Sequence, residues 1–181
     1  MLDLDYIECI AYVDGIREEG KLNDFRLKKI HRTDGPALML YNLTGLLREE
    51  YWINGKLHRE NKPAIIYYEN EYIISEEYWL NGKLHRIDGP AVINYLKGKI
   101  RDERYLINGK FHNKNSPAII YYNEIGEVIR EVYYNMDMPH RIDGPAVIDK
   151  TLNIEEYYID NAKMSEKEFR NYLFKKNFEL L

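Results

Sequence analysis

Five histidines occur in the chain, and all of them stand on one lattice. His31, His58, His85, His112 and His140 recur with a period of about 27 residues, the last interval being longer by one. An imidazole is a metal ligand or a general base when it has the right neighbours. Here each histidine is followed by an arginine (Arg32, Arg59, Arg86 and Arg141, with Asn113 in the fourth copy). Two positions further on stands Asp34, Asn61, Asp88, Asn115 or Asp143. The spacing argues against metal chemistry. Ligands of one zinc ion lie about 2 Å from it, whereas equivalent positions in copies two strands apart lie about 10 Å from each other. Cys9 is the one cysteine in the sequence, and no His-Glu-x-x-His run occurs. Acid–base chemistry fares no better, because Asn replaces Asp in two copies and an active site gathers unlike groups in one place. The expectation is therefore structural. Each histidine packs beside a turn and bonds to backbone, each Asp or Asn accepts from nearby amides, and no metal, cofactor or catalytic residue is assigned.

The histidines belong to a longer repeat. A proline follows each one by five residues (Pro36, Pro63, Pro90, Pro117, Pro145), and an alanine follows each proline. The clearest copies read HRTDGPA, HRIDGPA and HRIDGPA, and the weaker ones HRENKPA and HNKNSPA. Between them run short segments rich in Tyr, Ile, Val and Trp, punctuated by Asn-Gly or Lys-Gly. Such segments are strands and such dipeptides are tight turns. Gly, Asn and Pro recur too often for helices of useful length. Each copy is thus expected to be two antiparallel strands joined by a short turn at one edge, with a loop of about nine residues carrying the motif at the other. The fold expected is mainly β: an elongated, twisted antiparallel meander of about five 27-residue repeats across residues 25–164.

Alternation of side chains assigns faces. One face collects Ala37/Met39/Tyr41, Ala64/Ile66/Tyr68, Ala91/Ile93/Tyr95, Ala118/Ile120/Tyr122 and Ala146/Ile148, and is expected to be a buried ladder. The other is mixed: Leu38/Leu40, Ile65/Tyr67, Val92/Asn94, Ile119/Tyr121 and Val147/Asp149. Trp52, Trp79, Leu106, Tyr133 and Tyr158 match one another in the preceding strands and form an aromatic stripe along the array. The ends must differ from the middle, since an unpaired edge strand invites aggregation. Residues 1–24 are assigned as an N-terminal capping segment, with Phe25 to Ile30 a worn half-repeat. Residues 165–181 are assigned as a capping helix, because Ser165-Glu166-Lys167-Glu168 is a capping box and Phe169, Tyr172 and Leu173 share one helical face.

The pattern YWLNGKLHRIDGPAVINY resembles the variant MORN-type repeats of phage, giant-virus and bacterial proteins. It lacks the Tyr-x-Gly signature of the shorter, glycine-rich ordinary unit. The resemblance implies stacked hairpins with a scaffolding or binding role. Its phage and viral setting implies a host defence or assembly protein as partner, an inhibited nuclease such as a CRISPR effector among the choices. Composition fits a soluble, cytoplasmic chain: 45% hydrophobic, 31% charged, net charge −4 with interspersed signs, and an acidic start unlike a signal peptide. Neither direct nucleic-acid binding nor membrane association is expected, and no basic amphipathic segment supports lipid binding. The leading reading is a non-enzymatic module that binds a protein through Trp52, Trp79, Tyr133 and Tyr158, with Arg59 and Arg86 beside them. Alternatives are a glycan or small ligand on the same stripe, or a structural scaffold. Self-association follows if a second copy covers an apolar sheet face.

Overall fold

A computed structural model describes residues 8–25 and 28–178. Among these described residues thirteen strands form one antiparallel sheet, and one α-helix, Glu166–Phe178, closes its C-terminal end. Hairpins Leu38–Asn42/Gly45–Glu50, Ile65–Glu69/Tyr72–Glu77, Val92–Leu96/Lys99–Arg104, Ile119–Tyr122/Val128–Val132 and Val147–Asp149/Ile154–Ile159 follow one another in chain order across it. An additional hairpin, Glu8–Val13/Ile16–Lys21, extends the sheet at its N-terminal end, with Glu8–Val13 against Leu38–Asn42. Sequence predicts a cap over residues 1–24 but not that it continues the ladder; residues 1–7 lie outside those described.

The repeat is richer than two strands. Four of the long hairpins run on into a miniature hairpin at one margin: Trp52–Ile53/Lys56–Leu57, Trp79–Leu80/Lys83–Leu84, Leu106–Ile107/Lys110–Phe111 and Tyr134–Asn135/Met138–Pro139; in the last long hairpin, Ile154–Ile159 pairs directly with Ala162–Met164. Asn-Gly makes the first three of these turns because both central residues have positive φ, 53° at Asn81 and 78° at Gly82. The motif loop then leads back into the next long strand. Miniature hairpins touch their neighbours through backbone bonds such as Gly82 N–H to Leu57 O (2.8 Å) and Gly109 N–H to Leu84 O (2.7 Å). Ile30 O takes the same bond from Gly55, while residues 26 and 27 of the segment read from sequence as a worn half-repeat lie outside those described.

The expected faces need correction. The five motif alanines are fully buried, but the larger residues after them (Met39, Ile66, Ile93, Ile120 and Tyr41, Tyr68, Tyr95, Tyr122) are only partly covered. The large buried apolar side chains lie on the opposite face: Leu38, Leu40, Ile65, Val92 and Ile119. The reason is that the alanines sit between tyrosines. The Tyr51 amide donates to Ala64 O and the Tyr78 amide to Ala91 O, so ladder order runs Tyr51, Ala64, Tyr78, Ala91, Tyr105, Ala118, Tyr133, Ala146. A small residue is what fits between two large rings. At the ends, Phe25 of the 3₁₀ turn Leu22–Phe25 joins Cys9, Ala11, Leu38 and Leu40 in one buried cluster. The expected capping box forms, with Glu168 N–H on Ser165 Oγ (3.3 Å) and Ser165 N–H on Glu168 Oε2 (2.7 Å). The Phe169 ring it presents is buried 5.0 Å from that of Tyr157.

Candidate binding surface

The motif is a clamp. Arg86 lies over the Tyr78 ring at 4.0 Å, donates from Nε to Asp88 (3.1 Å) and from Nη1 to Pro90 O (3.4 Å). Arg32 and Arg141 do the same over Tyr12 and Tyr133, with Asp34 and Asp143 and with Pro36 O and Pro145 O. The Arg32 guanidinium holds the Asp34 carboxyl below its ordinary range. So the motif aspartate serves the arginine, where sequence predicts backbone amides as its partners. The glycine after it makes room: a Cβ on Gly89 would sit 2.9 Å from Arg86 Cζ. Where Asp becomes Asn61 or Asn115, the backbone there turns to φ 57° or 63°, and Lys62 or Ser116 replaces glycine. Arg59 then keeps only Tyr51 (3.6 Å) and Pro63 O (3.1 Å), and Asn113 reaches Pro117 O alone (3.0 Å).

Histidine is the clasp between neighbours. Nδ1 of His31, His58, His85 and His140 accepts the backbone amide of Asn54, Asn81, Asn108 and Asp160, at 3.0–3.2 Å. This is the backbone role expected from sequence. At His140 an Asp160 carboxylate oxygen also lies 2.9 Å from that nitrogen. His112 departs from the pattern, since its Nδ1 is buried without a partner. Among the described residues, no three His, Cys, Asp or Glu side chains gather as a metal site would need.

The aromatic stripe divides between the two faces. Trp52 and Trp79 each give their indole N–H to a glutamate two residues back, Glu50 (2.6 Å) and Glu77 (2.8 Å), and the Tyr158 hydroxyl goes to Glu156 (3.1 Å). Tyr133 sits on the opposite face under Arg141. Its counterparts are Tyr51, Tyr78 and Tyr105, and the residue matching Trp52 and Trp79 is Tyr134. One extra residue in the Tyr122–Val128 turn shifts the count. Of the six residues selected from sequence, none stands free. Arg59, Arg86 and Tyr133 are clamp parts, and Trp52, Trp79 and Tyr158 bond to their own strands.

Polar groups cross the sheet on the Trp face. Asp102 is fully buried and holds Arg101 Nε (2.9 Å), Arg104 Nε (2.9 Å) and Asn94 Nδ2 (2.8 Å). Glu50 is buried between Arg48 (2.7 Å) and Trp52, and burial pushes its carboxyl up. Burial also raises the thiol of Cys9 to about 11.

Two other features reach solvent, the first largely half-buried and the second exposed. First, on the alanine face one row reads Ile10, Met39, Glu49, Ile66, Glu76, Ile93, Glu103, Ile120, Glu131, Ile148, Glu155 from strand to strand. Hydroxyls of Tyr68, Tyr95 and Tyr122 anchor one oxygen each of Glu49 (3.2 Å), Glu76 (2.6 Å) and Glu103 (2.7 Å). Burial, helped by those carboxylates, pushes the Tyr68 hydroxyl up to about 12 and raises Tyr95 and Tyr122. Second, the margin opposite the motif exposes Leu43, Tyr72, Leu96, Ile125 and Leu152, one at each successive hairpin turn. Clefts of about 340 Å³ and about 320 Å³ lie between motif loops, His112–Ser116 beside His140–Asp143 and Arg59–Asn61 beside His85–Asp88.

These features define a tandem-repeat antiparallel β-meander protein. No family model, no curated protein and no solved structure matches the chain.

Proposed function

We propose that the chain is a non-enzymatic repeat module that binds another protein along its turn margin and the adjoining glutamate–isoleucine face. The observation that carries the reading is the row Leu43, Tyr72, Leu96, Ile125 and Leu152, repeated at every long turn of the array. A scattered apolar residue on a surface is ordinary, but a row of them is a contact surface. Apart from His112, the clamp and clasp residues have internal partners and belong to the scaffold that carries this row. The resemblance to variant MORN-type repeats supports a binding role in a cytoplasmic setting, and a phage or viral inhibitor of a host defence nuclease is one protein of this kind. A second reading, a polar small ligand or sugar, is favoured by the cleft beside His112, where a buried ring nitrogen has no partner.

The test is affinity capture with three forms: intact chain, Tyr72→Ser/Ile125→Ser, and Trp52→Ala/Trp79→Ala. The reading expects one protein to be lost with the turn-margin variant while its circular dichroism is unchanged. The tryptophan variant is expected to lower the melting temperature and keep the partner. A partner that persists on the turn-margin variant refutes the surface, and glycan-dependent Trp fluorescence favours the second reading.

A further inference from the structure

We propose that the occupant of this face is an amphipathic α-helix with a basic residue at every seventh position and an apolar one halfway between. The inference rests on the binding reading above and names the partner's chemistry. Its first leg is charge. Glu49, Glu76, Glu103, Glu131 and Glu155 stand in one row, none of them buried, with Met or Ile on every strand between them and no cation in the row. The motif arginines on this face lie at its margin over tyrosines, three of them neutralised by their own aspartates, and Arg17 at the N-terminal end pairs with Glu19. Tyrosine hydroxyls hold three of the five carboxylates in place while leaving a second oxygen on each. A positioned, repeated anion with an apolar neighbour calls for a partner of the opposite pattern.

Its second leg is length. Strands lie about 4.8 Å apart, so glutamates recur about every 9.6 Å with an isoleucine about 4.8 Å from each. Seven residues of α-helix span about 10.5 Å, and three to four residues about 4.5–6 Å. A helix laid across the strands therefore meets a glutamate with each heptad and an isoleucine at each half-heptad. The residual mismatch of about 1 Å per heptad lies within reach of a lysine side chain. An extended strand presents one face about every 6.6 Å, and meets neither period.

The experiment titrates the intact chain into two fluorescent peptides of identical composition. One carries Lys and Leu at the a and d positions of four heptads; the other carries the same residues at five-residue spacing. The heptad peptide is expected to bind at least about tenfold more tightly, and more weakly as salt rises. The variant Glu49→Gln/Glu76→Gln/Glu103→Gln keeps acceptors for the tyrosine hydroxyls and is expected to lose about tenfold in affinity for the heptad peptide. Equal affinity for both peptides, or no loss with the glutamine variant, overturns the helix. If the turn-margin variant still loses its captured protein in that case, only the partner's shape was misread; if it retains that protein, the binding surface falls as well.

Discussion

Replacing Gly89 by alanine separates two reasons for a glycine. Its φ is not in the left-handed region, so an alanine there is free of backbone strain and should stabilise the fold by about 0.4–1 kcal/mol through the unfolded chain. The new Cβ, however, lies 2.9 Å from Cζ and 3.0 Å from Nε of Arg86, which must leave its seat. Arg86 then loses Asp88, Pro90 O and the Tyr78 ring. The bond to the carbonyl and the ring contact contribute about 1 kcal/mol each, and the exposed Asp88 pair a few tenths. Gly89→Ala should therefore destabilise the wild type by about 1.5 kcal/mol once the unfolded-chain gain is subtracted. In an Arg86→Asn background nothing occupies the space, and the same change should stabilise by about 0.5 kcal/mol. The fourth copy already has this form, with Asn113 bonded to Pro117 O and Ser116 in the glycine's place. Urea unfolding of the four proteins of the cycle gives the coupling, expected to be about 2 kcal/mol. A Gly89→Ala cost that is equal in both backgrounds would refute the clamp and make the glycine a matter of backbone alone.

Other consequences are checked by similar means. Asp102→Ala leaves Arg101, Arg104 and Asn94 without their shared acceptor and should cost about 3 kcal/mol in chemical unfolding, far more than Asp88→Ala at the exposed motif loop. His85→Ala removes the acceptor of the Asn108 amide and should cost about 1 kcal/mol more than His112→Ala, whose Nδ1 has no partner; equal melting temperatures would count against the clasp. The tyrosine hydroxyls of the acidic face predict alkaline unfolding. Their folded-state pKa is raised, to about 12 at Tyr68, so their contribution is fully present below about pH 10 and is lost as pH climbs from there through about 12. Tyrosinate absorbance should rise together with loss of the β signal, and hydroxyls that ionise near pH 10 with the sheet intact would refute it.

Much of the architecture is legible in sequence because it is periodic. Histidine, proline and alanine recur with the repeat, Asn-Gly and Lys-Gly mark turns, and Ser165 with Glu168 marks the helix start. The rest depends on which neighbour each side chain meets. Nothing local says that Ala91 is small because Tyr78 and Tyr105 flank it, or that Gly89 clears a guanidinium. Alternation separates the two faces of the sheet but does not say which is covered. The aromatic stripe is misaligned at Tyr133 because the longer interval between His112 and His140 hides one inserted residue in the turn before it. Aromatic residues are natural contact choices, yet Trp52 and Trp79 satisfy their N–H groups on Glu50 and Glu77. The exposed row at the turns is there to be found in Leu43, Tyr72, Leu96, Ile125 and Leu152 themselves, apolar residues beside turn dipeptides where polar ones are the rule.

The junction at His112 is where the lattice is least satisfied, and that is informative. Its miniature hairpin turns on Met136 and Asp137, with φ of 50° and 69°, where other copies use Asn-Gly. A methionine in that region costs about 1 kcal/mol relative to a residue suited to it, and its exposed side chain recovers little by packing. The turn is instead held by the Asp137 carboxylate on the Phe111 amide (2.7 Å) and by the Phe111–Tyr134 ring contact at 5.4 Å. Because those two contacts do not involve Met136, Met136→Asn should stabilise the protein by about 0.5–1 kcal/mol through relief of the backbone alone. A larger gain, with slowed hydrogen exchange at the residue-136 amide, would mean that the amide now reaches His112 Nδ1 as Asn81 reaches His58. A neutral or destabilising outcome would show that methionine is held there by packing, and would remove the case that this junction departs from the repeat at a cost in stability. The strained turn lies beside the cleft between the motif loops of His112 and His140, so its stability is measured best together with that of the His112 junction.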